Sequence, residues 1–275
     1  ILIAFIFQNT TVAIEYYLKW ITIFVYYCCY STLTLFCSTR IVGGSKAPLE
    51  FGRFHVSLQN MTGHHVCGGV IVSLSHLVTA AHCVNGAEPQ YIKAVVGTTD
   101  LDDGGTKYDV GRIYMHDGYN ITLRLHDIAV LKIKGAFDLK HVDVLRLDEN
   151  ELKEGDQVLL TGFGASKPNE ESSRQMHALN LTVFDQSICQ YAMRYTRKVH
   201  ITMFCTFTKI GQGTCHGDSG GPLTKENKLV GIVSWGIPCA VGFPDVHTRI
   251  SSYVEWIREI IDRPLCECIC PCNKK

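Results

Sequence analysis

The chain has no excess of either charge and only a modest number of charged residues. Its 275 residues include 26 lysines and arginines and 26 aspartates and glutamates, so the formal net charge is zero. A neutral chain provides no electrostatic argument for nucleic acid or an anionic membrane surface as the main partner. We therefore expect no nucleic-acid partner.

An apolar run long enough to form an obvious membrane span is also missing from the first 40 residues. Ile21 to Cys37 are 17 residues without a charge, whereas about 20 apolar residues are needed to cross a bilayer. This length favours a signal peptide, a pro-segment or a gene-model extension over residues 1–40, rather than a membrane anchor at residues 21–37. We expect the folded domain to begin at Ile41.

Helical periodicity is scarce, which argues against a helical bundle. From Ile41 onward, short runs of β-branched and apolar residues alternate with clusters of glycine, asparagine and aspartate. Such runs predict short strands at Phe54–Leu58, Val70–Val72, Leu77–Thr79, Val158–Leu160 and Val230–Val233. Many short strands predict an all-β fold in which the sheets close on themselves.

One helix is expected near the end of this region. Val254, Ile257 and Ile261 recur at helical spacing, and Pro264 follows as a stop signal. We expect the helix to start at Ser251 or Ser252.

Thirteen cysteines indicate an oxidising compartment, as expected for a secreted, extracellular protein. Six of them lie between Cys67 and Cys239, and the sequence alone leaves 15 pairings open for six cysteines. The last residues alternate as Cys266, Cys268, Cys270 and Cys272. This spacing lacks the paired Cys-x-x-Cys of structural zinc sites, so residues 264–275 are expected to form a disordered tail rather than a metal site.

The most informative motif is Gly217-Asp218-Ser219-Gly220-Gly221-Pro222, which places one serine among glycines. A serine hydroxyl becomes a nucleophile only with a base to take its proton and donors to hold the developing oxyanion. His82, within Thr79–Cys83, is a candidate for the base. Asp127, at the start of Asp127–Val130, is a candidate for the carboxylate that orients it.

These motifs occur in the order His, Asp, Ser, and Ile41-Val42-Gly43-Gly44 directly follows Arg40. Together they resemble the chymotrypsin-like (trypsin-like) serine endopeptidases over residues 41–263, and the pattern is closest to the arthropod chymotrypsins. The resemblance implies two six-stranded antiparallel β-barrels with the active site between them and a C-terminal helix. It also implies a boundary between the barrels near residues 145–156.

The resemblance also implies a role for each residue of the site. Ser219 is the nucleophile, His82 the base and Asp127 the group that holds His82, while the backbone N–H groups of Gly217 and Ser219 form the oxyanion hole. No metal or cofactor is needed for this chemistry. The implied disulfides are Cys67–Cys83, Cys189–Cys205 and Cys215–Cys239.

The resemblance also implies that the protein is activated by proteolysis. Cleavage after Arg40 by a trypsin-like protease frees the α-amino group of Ile41, which then pairs with Asp218 and sets the backbone of the serine loop. The uncut chain is expected to be a nearly inactive zymogen.

The resemblance also implies a substrate-binding cleft. The residues expected to line it are Gly213, Thr214, His216, Ser234, Trp235, Gly236 and Asp245. Gly213 is uncharged and leaves an open pocket floor, and Gly236 keeps the pocket mouth wide, which favours large apolar residues before the cleaved bond. Asp245 adds two alternatives. It faces the pocket and extends specificity to lysine and arginine, or it is satisfied internally by Thr214 and water.

Two other functions are weighed against this one. The first is a protease with trypsin-like cleavage after lysine or arginine, assisted by Asp245. The second, from a different class, is a non-catalytic homologue that acts as a binding module, although His82, Asp127 and Ser219 are all present. The expected partners are protein or peptide substrates, an activating protease and proteinaceous inhibitors, and the protein is expected to be a monomer.

Overall fold

A computed structural model describes residues 41–263, which form two β-barrels and three α-helices. Residues 1–40 and 264–275 lie outside the described residues, and so do the predictions of a signal peptide or anchor, of Arg40 and of the cysteine-rich tail. Within residues 41–263, no helix has the length and apolar character to cross a membrane.

Residues 41–263 contain fourteen strands, of which twelve form the two barrels. The strands are β1 (Ser45–Lys46), β2 (His55–Gln59), β3 (His65–Ile71), β4 (His76–Thr79), β5 (Lys93–Val96), β6 (Thr106–Met115), β7 (Ala129–Ile133), β8 (Arg146–Leu147), β9 (Gln157–Gly162), β10 (His177–Phe184), β11 (Met203–Thr206), β12 (Pro222–Lys225), β13 (Lys228–Trp235) and β14 (Asp245–Arg249). The helices are α1 (Leu49–Gly52), α2 (Gln186–Met193) and α3 (Val254–Ile261).

The first barrel closes in the order β2-β3-β4-β7-β6-β5, with every pair antiparallel. The second closes in the order β9-β10-β11-β14-β13-β12, because β9 pairs with both β10 and β12. Two short strands extend the second sheet: β1 pairs with β10, and β8 runs parallel to β13. The all-β prediction of two six-stranded barrels is confirmed.

Alternation along β10 shows how the sequence forms this architecture. Leu179, Leu181 and Val183 are buried, whereas Asn180 between them is exposed. Successive side chains of a strand point to opposite faces, so one face of β10 contributes to the core of the second barrel and the other faces outward.

The barrels are held against each other by a shared apolar cluster that includes α3. Val78 and Ile128 come from the first barrel, Leu229 and Ile232 from the second, and Ile257 from the helix. Closure of two sheets therefore leaves apolar outer faces that are buried only when the barrels pack together.

The predicted C-terminal helix is present, but its predicted start is wrong. Ser251 and Ser252 belong to the 3-10 turn Ile250–Ser252, and α3 starts at Val254 with Tyr253 as its N-cap. A second helix, α2, was not predicted. Its N-cap is Asp185, whose carboxylate accepts a 2.7 Å hydrogen bond from the N–H of Ile188.

Candidate active site

His82, Asp127 and Ser219 come together where the two barrels meet. His82 lies in the 3-10 turn Ala81–Cys83 that follows β4, and Asp127 lies two residues before β7. Since β4 and β7 are neighbours in the first barrel, both residues emerge at the same edge. Ser219 is contributed by the second barrel, from the loop that precedes β12.

His82 is fixed to Asp127 by two hydrogen bonds. The His82 backbone N–H donates to Asp127 Oδ1 at 2.8 Å, and His82 Nδ1 lies 2.7 Å from Asp127 Oδ2. Asp127 is 1% exposed, so water does not compete for these contacts. A carboxylate in this position holds Nδ1 as the protonated nitrogen and leaves Nε2 available as a base.

The second barrel also binds Asp127. The Ser234 hydroxyl donates to Asp127 Oδ2 at 2.6 Å, and the Thr248 hydroxyl donates to the Asp127 carbonyl oxygen at 2.8 Å. Ser234 was predicted to bind substrate and lines the cleft, and its side chain also supports the carboxylate behind His82. These bonds tie the orientation of His82 to the docking of the barrels.

The loop around Ser219 has a backbone that requires glycine. Gly217 has a φ of 95° and Gly220 a φ of 75°, both in the region that side chains disfavour. A Cβ on Gly220 would also overlap the hydroxyl of Thr79 and the backbone of the first barrel. The loop is anchored by a 2.7 Å hydrogen bond from the Gly68 N–H to the Ser219 carbonyl oxygen.

Ser219 and His82 line the same cleft. Within residues 41–263, however, no hydrogen bond joins the Ser219 hydroxyl to His82 Nε2. The atom in contact with His82 Nε2 is Cys83 Sγ, at 3.8 Å. The nucleophile–base bond is often long in a protease without substrate and shortens when the substrate is bound.

Asp218 is completely buried beneath the loop. Its carboxylate accepts hydrogen bonds from the N–H of Gly164 at 2.9 Å and the N–H of Cys215 at 3.0 Å. Burial raises the pKa of Asp218 to about 7, with a smaller contribution from the charge of Asp245. Ile41, also fully buried, packs beside Gly162, the same glycine that borders this carboxylate.

The cleft beside Ser219 has a volume of about 240 Å³. Of the residues predicted to bind substrate, those that line it are Thr214, His216, Ser234, Trp235 and Gly236. Trp235 is largely buried and packs in an apolar cluster with Met193 and Val246 while one face borders the cleft. Gly213 and Asp245 are not part of the lining.

The expectation of an open pocket floor at Gly213 is wrong, because the carboxylate of Asp245 fills that space. A Cβ on Gly213 would lie 2.6 Å from Asp245 Oδ2, and a Cβ on Gly236 would lie 3.1 Å from Asp245 Oδ1. Thr214 N–H donates to Oδ2 at 2.7 Å, whereas Oδ1 has no partner within residues 41–263. Burial raises the pKa of Asp245 to about 7.

The three disulfides implied by the resemblance are formed, joining Cys67 to Cys83, Cys189 to Cys205, and Cys215 to Cys239. Cys67 and Cys83 also form, with His82, the one trio of metal-ligand side chains that come close together in residues 41–263. Because both sulfurs are in a disulfide, they cannot act as thiolate ligands.

Two charged residues of the cleft were missed by the sequence analysis. Arg124 and Arg197 both line it, close to His82 and Trp235. Arg124 lies three residues before Asp127, which is a signal for proximity to the site. Arg197 lies in the loop between α2 and β11, far from every motif in the sequence, so no local signal could have found it.

Comparison with known proteins agrees with this geometry. The sequence model of the trypsin family matches residues 41–257. Chymotrypsin-2 of Vespa crabro is 35% identical over 221 residues, covering 80% of this chain and 99% of its own. Trypsin epsilon of Drosophila erecta is 33% identical over 222 residues, covering 79% and 86%.

Among solved structures, mouse neuropsin, described as a serine protease expressed in the limbic system of the brain, superposes with a TM-score of 0.73. It is 27% identical in sequence, and the match covers 80% of this chain and 99% of neuropsin. By fold and by sequence, the chain belongs to the trypsin family of serine endopeptidases.

Proposed function

We propose that this protease hydrolyses peptide bonds through Ser219, with His82 as general base and then general acid. Asp127 holds the imidazole and stabilises the imidazolium, and the N–H groups of Gly217 and Ser219 receive the oxyanion. The observation that carries the proposal is the pair of hydrogen bonds that fixes His82 on a buried Asp127 at the edge of a cleft containing Ser219.

The protease is made as a zymogen in this proposal and is activated by cleavage after Arg40. The buried Asp218 carboxylate has two N–H donors but no cationic partner among residues 41–263, and a freed Ile41 ammonium would supply one. Ile41 also has a φ of 51°, a conformation that β-branched residues rarely adopt. Cleavage removes the Arg40 carbonyl carbon that defines this angle, and the strain, of order 1–3 kcal/mol, disappears with it.

The proposed specificity is for large apolar residues directly before the cleaved bond, and it extends to lysine and arginine. Val233 and Trp235 give the cleft apolar walls that favour a large apolar side chain. Asp245 Oδ1, which borders Gly236 and has no partner in residues 41–263, would accept a hydrogen bond from a basic side chain. This arrangement supports broad specificity rather than the strictly apolar pocket expected from Gly213 alone.

Protein and peptide substrates are the natural partners of an endopeptidase. The proposal adds an activating trypsin-like protease, proteinaceous inhibitors that occupy the same cleft, and secretion as a monomer. Three disulfides in the described domain support an oxidising, extracellular environment.

The test compares labelling of the uncut and cut chains by a serine-directed fluorophosphonate. After trypsin cleavage, N-terminal sequencing confirms Ile41 as the first residue, and mass spectrometry locates the label. We expect labelling at Ser219 in the cut chain and little in the uncut chain. Ser219→Ala removes the label, whereas Ser45→Ala, at an exposed serine in β1, keeps it.

Asp218→Asn tests the activation step within the same experiment. This variant should remain unlabelled after correct cleavage, because a neutral amide cannot pair with the ammonium of Ile41. Full labelling of cut Asp218→Asn at Ser219 would contradict the activation proposal. A folded, correctly cut wild-type chain without any label at Ser219 would instead favour the non-catalytic binding module.

A further inference from the structure

Two arginines in the cleft are not used by the catalytic proposal. Arg124 lies in the turn that leads to Asp127, and Arg197 lies in the loop before β11 with its guanidinium carbon 5.6 Å from the ring centre of Trp235. Both side chains are half-buried, so part of their hydration is already lost. They lie beside the active site, on the part of the cleft that also contains Trp235.

Neither arginine has a carboxylate partner among residues 41–263. Arg124 Nη1 donates to the Tyr119 hydroxyl at 3.3 Å, and its buried Nε has no acceptor in the same residues. Arg197 Nε donates to the Thr122 carbonyl oxygen at 3.0 Å. A guanidinium has five N–H donors, so each arginine keeps donors free for a ligand.

The charge of the cleft is therefore positive in a protein whose net charge is zero. Its titratable lining consists of His82, Arg124, Arg197 and His216, with no carboxylate among them. Asp127 is shielded beneath His82. Two arginines with unused donors in a partly desolvated cleft are suited to bind carboxylates, because charge-assisted hydrogen bonds to a guanidinium are strong and directional.

The position of a bound chain follows from the proposed function, on which this inference rests. A substrate that adds as a strand along Ser234–Gly236 alternates its side chains between two sides. The residue directly before the cleaved bond enters the pocket beside Thr214. The second and fourth residues before the bond then point to the other side, toward Arg124 and Arg197.

We propose that Arg124 and Arg197 select substrates with aspartate or glutamate at the second and fourth positions before the cleaved bond. Arg124, which comes from the same barrel as His82, serves the second position, and Arg197, beside Trp235, serves the fourth. In the chain's own activation segment those positions are Thr39 and Cys37. Neither is acidic, so the protease does not select its own activation bond, which agrees with activation by a separate enzyme.

The experiment uses the cut, active-site-titrated protease and a set of peptides that share phenylalanine before the cleaved bond. The second or fourth residue before this bond is glutamate, glutamine or lysine. We expect kcat/KM to fall about three- to tenfold from glutamate to glutamine at each position, and further for lysine. The preference should weaken as salt is raised from 0.05 to about 0.5 M, because a half-exposed ion pair is screened.

Three variants assign the preference to the arginines. Arg124→Gln should abolish the preference for glutamate over glutamine at the second position, and Arg197→Gln should abolish it at the fourth. Arg146→Gln, at an exposed arginine of β8, is the control and should keep both preferences. Equal cleavage of the glutamate and glutamine peptides by the wild-type protease would overturn the inference while leaving the proposed function intact.

A binding measurement separates the two proposals when turnover is absent. The cut Ser219→Ala variant is titrated with the glutamate and glutamine peptides by calorimetry. Tighter binding of the glutamate peptide that is lost in Ser219→Ala/Arg124→Gln supports the inference even if no peptide is hydrolysed. Equal affinities of the two peptides contradict it.

Discussion

Asp245 shows how one buried carboxyl group could make specificity depend on pH. Its pKa is raised to about 7, chiefly by burial, so it is mostly neutral at pH 6 and mostly ionised at pH 8. A neutral acid tolerates an apolar side chain nearby, whereas a carboxylate attracts a lysine or arginine. The two substrate classes therefore gain from opposite protonation states of the same residue.

We expect the ratio of kcat/KM for an arginine substrate to that for a phenylalanine substrate to rise up to about tenfold between pH 6 and pH 8. Effects of pH on the catalytic step itself act on both substrates and cancel in the ratio. In Asp245→Asn, which keeps the shape without the charge, the ratio should be flat. An equally steep rise in that variant would assign the pH dependence to another group.

The residues that the sequence predicted for the site are those whose motifs are local. His82, Asp127 and Ser219 each lie in a short recognisable stretch. In the structure His82 and Ser219 line one cleft, and the buried Asp127 is hydrogen-bonded to His82. Two features were not predictable: the position of Arg197 in the cleft, and the occupation of the space beside Gly213 by the Asp245 carboxylate. Both depend on distances between segments that are far apart in the chain, and no local pattern encodes such distances.

At the scale of elements, each predicted strand overlaps an observed strand, but the ends are shifted. The strand predicted at Phe54–Leu58 is His55–Gln59, and the one predicted at Val70–Val72 overlaps only the last two residues of the longer β3. Apolar alternation locates the buried middle of a strand, whereas its ends depend on hydrogen bonds to neighbouring strands. Helix α2 was missed because its capping by Asp185 is a weaker signal than apolar periodicity.

Helix α3 yields a stability prediction at this scale. Ile257 is 0% exposed and packs in the apolar cluster shared by the two barrels. Ile257→Ala should lower the free energy of unfolding by about 2–5 kcal/mol, because it leaves a cavity that the barrels cannot close. Urea unfolding in a Ser219→Ala background, which prevents self-digestion, measures this loss.

The matched control for that measurement is Glu259→Ala, an exposed position on the same helix. It should change the free energy of unfolding by less than about 0.5 kcal/mol. A similar loss in both variants would contradict the assignment to packing between the barrels.

For the molecule as a whole, three buried histidines lower the free energy of unfolding as the pH falls. Burial lowers the pKa of His55 and of His247 to about 3, and of His65 to about 4. In the unfolded chain each imidazole binds a proton near pH 6.5, so between about pH 6.5 and pH 4 the unfolded state binds more protons. Stability therefore falls as the pH is lowered through this window.

Asp218 and Asp245 act in the opposite sense. With a pKa raised to about 7, each is protonated in the folded chain where the unfolded chain has already ionised, so their contribution to stability falls as the pH rises from about 4 to 7. Because the two groups of residues oppose each other, the histidine contribution must be isolated by substitution.

His55→Gln should reduce the loss of stability between pH 6.5 and pH 4.5 by up to about 2–3 kcal/mol. Glutamine retains a polar group for Thr161, whose hydroxyl lies 3.1 Å from His55 Nδ1. Urea unfolding at the two pH values measures the difference. His64→Gln, at an exposed histidine, should leave it unchanged, and an unaltered acid loss in His55→Gln would contradict the assignment.

The hydrogen bonds from Ser234 and Thr248 to Asp127 also constrain how such a protein can evolve. Asp127 belongs to one barrel, whereas the other barrel supplies the donor to its carboxylate from Ser234 and the donor to its backbone carbonyl oxygen from Thr248. A substitution that alters the surroundings of Asp127 must therefore be matched across the boundary, and the two barrels cannot be exchanged between relatives as independent modules. Residues near Asp127 in the two barrels are therefore expected to change together.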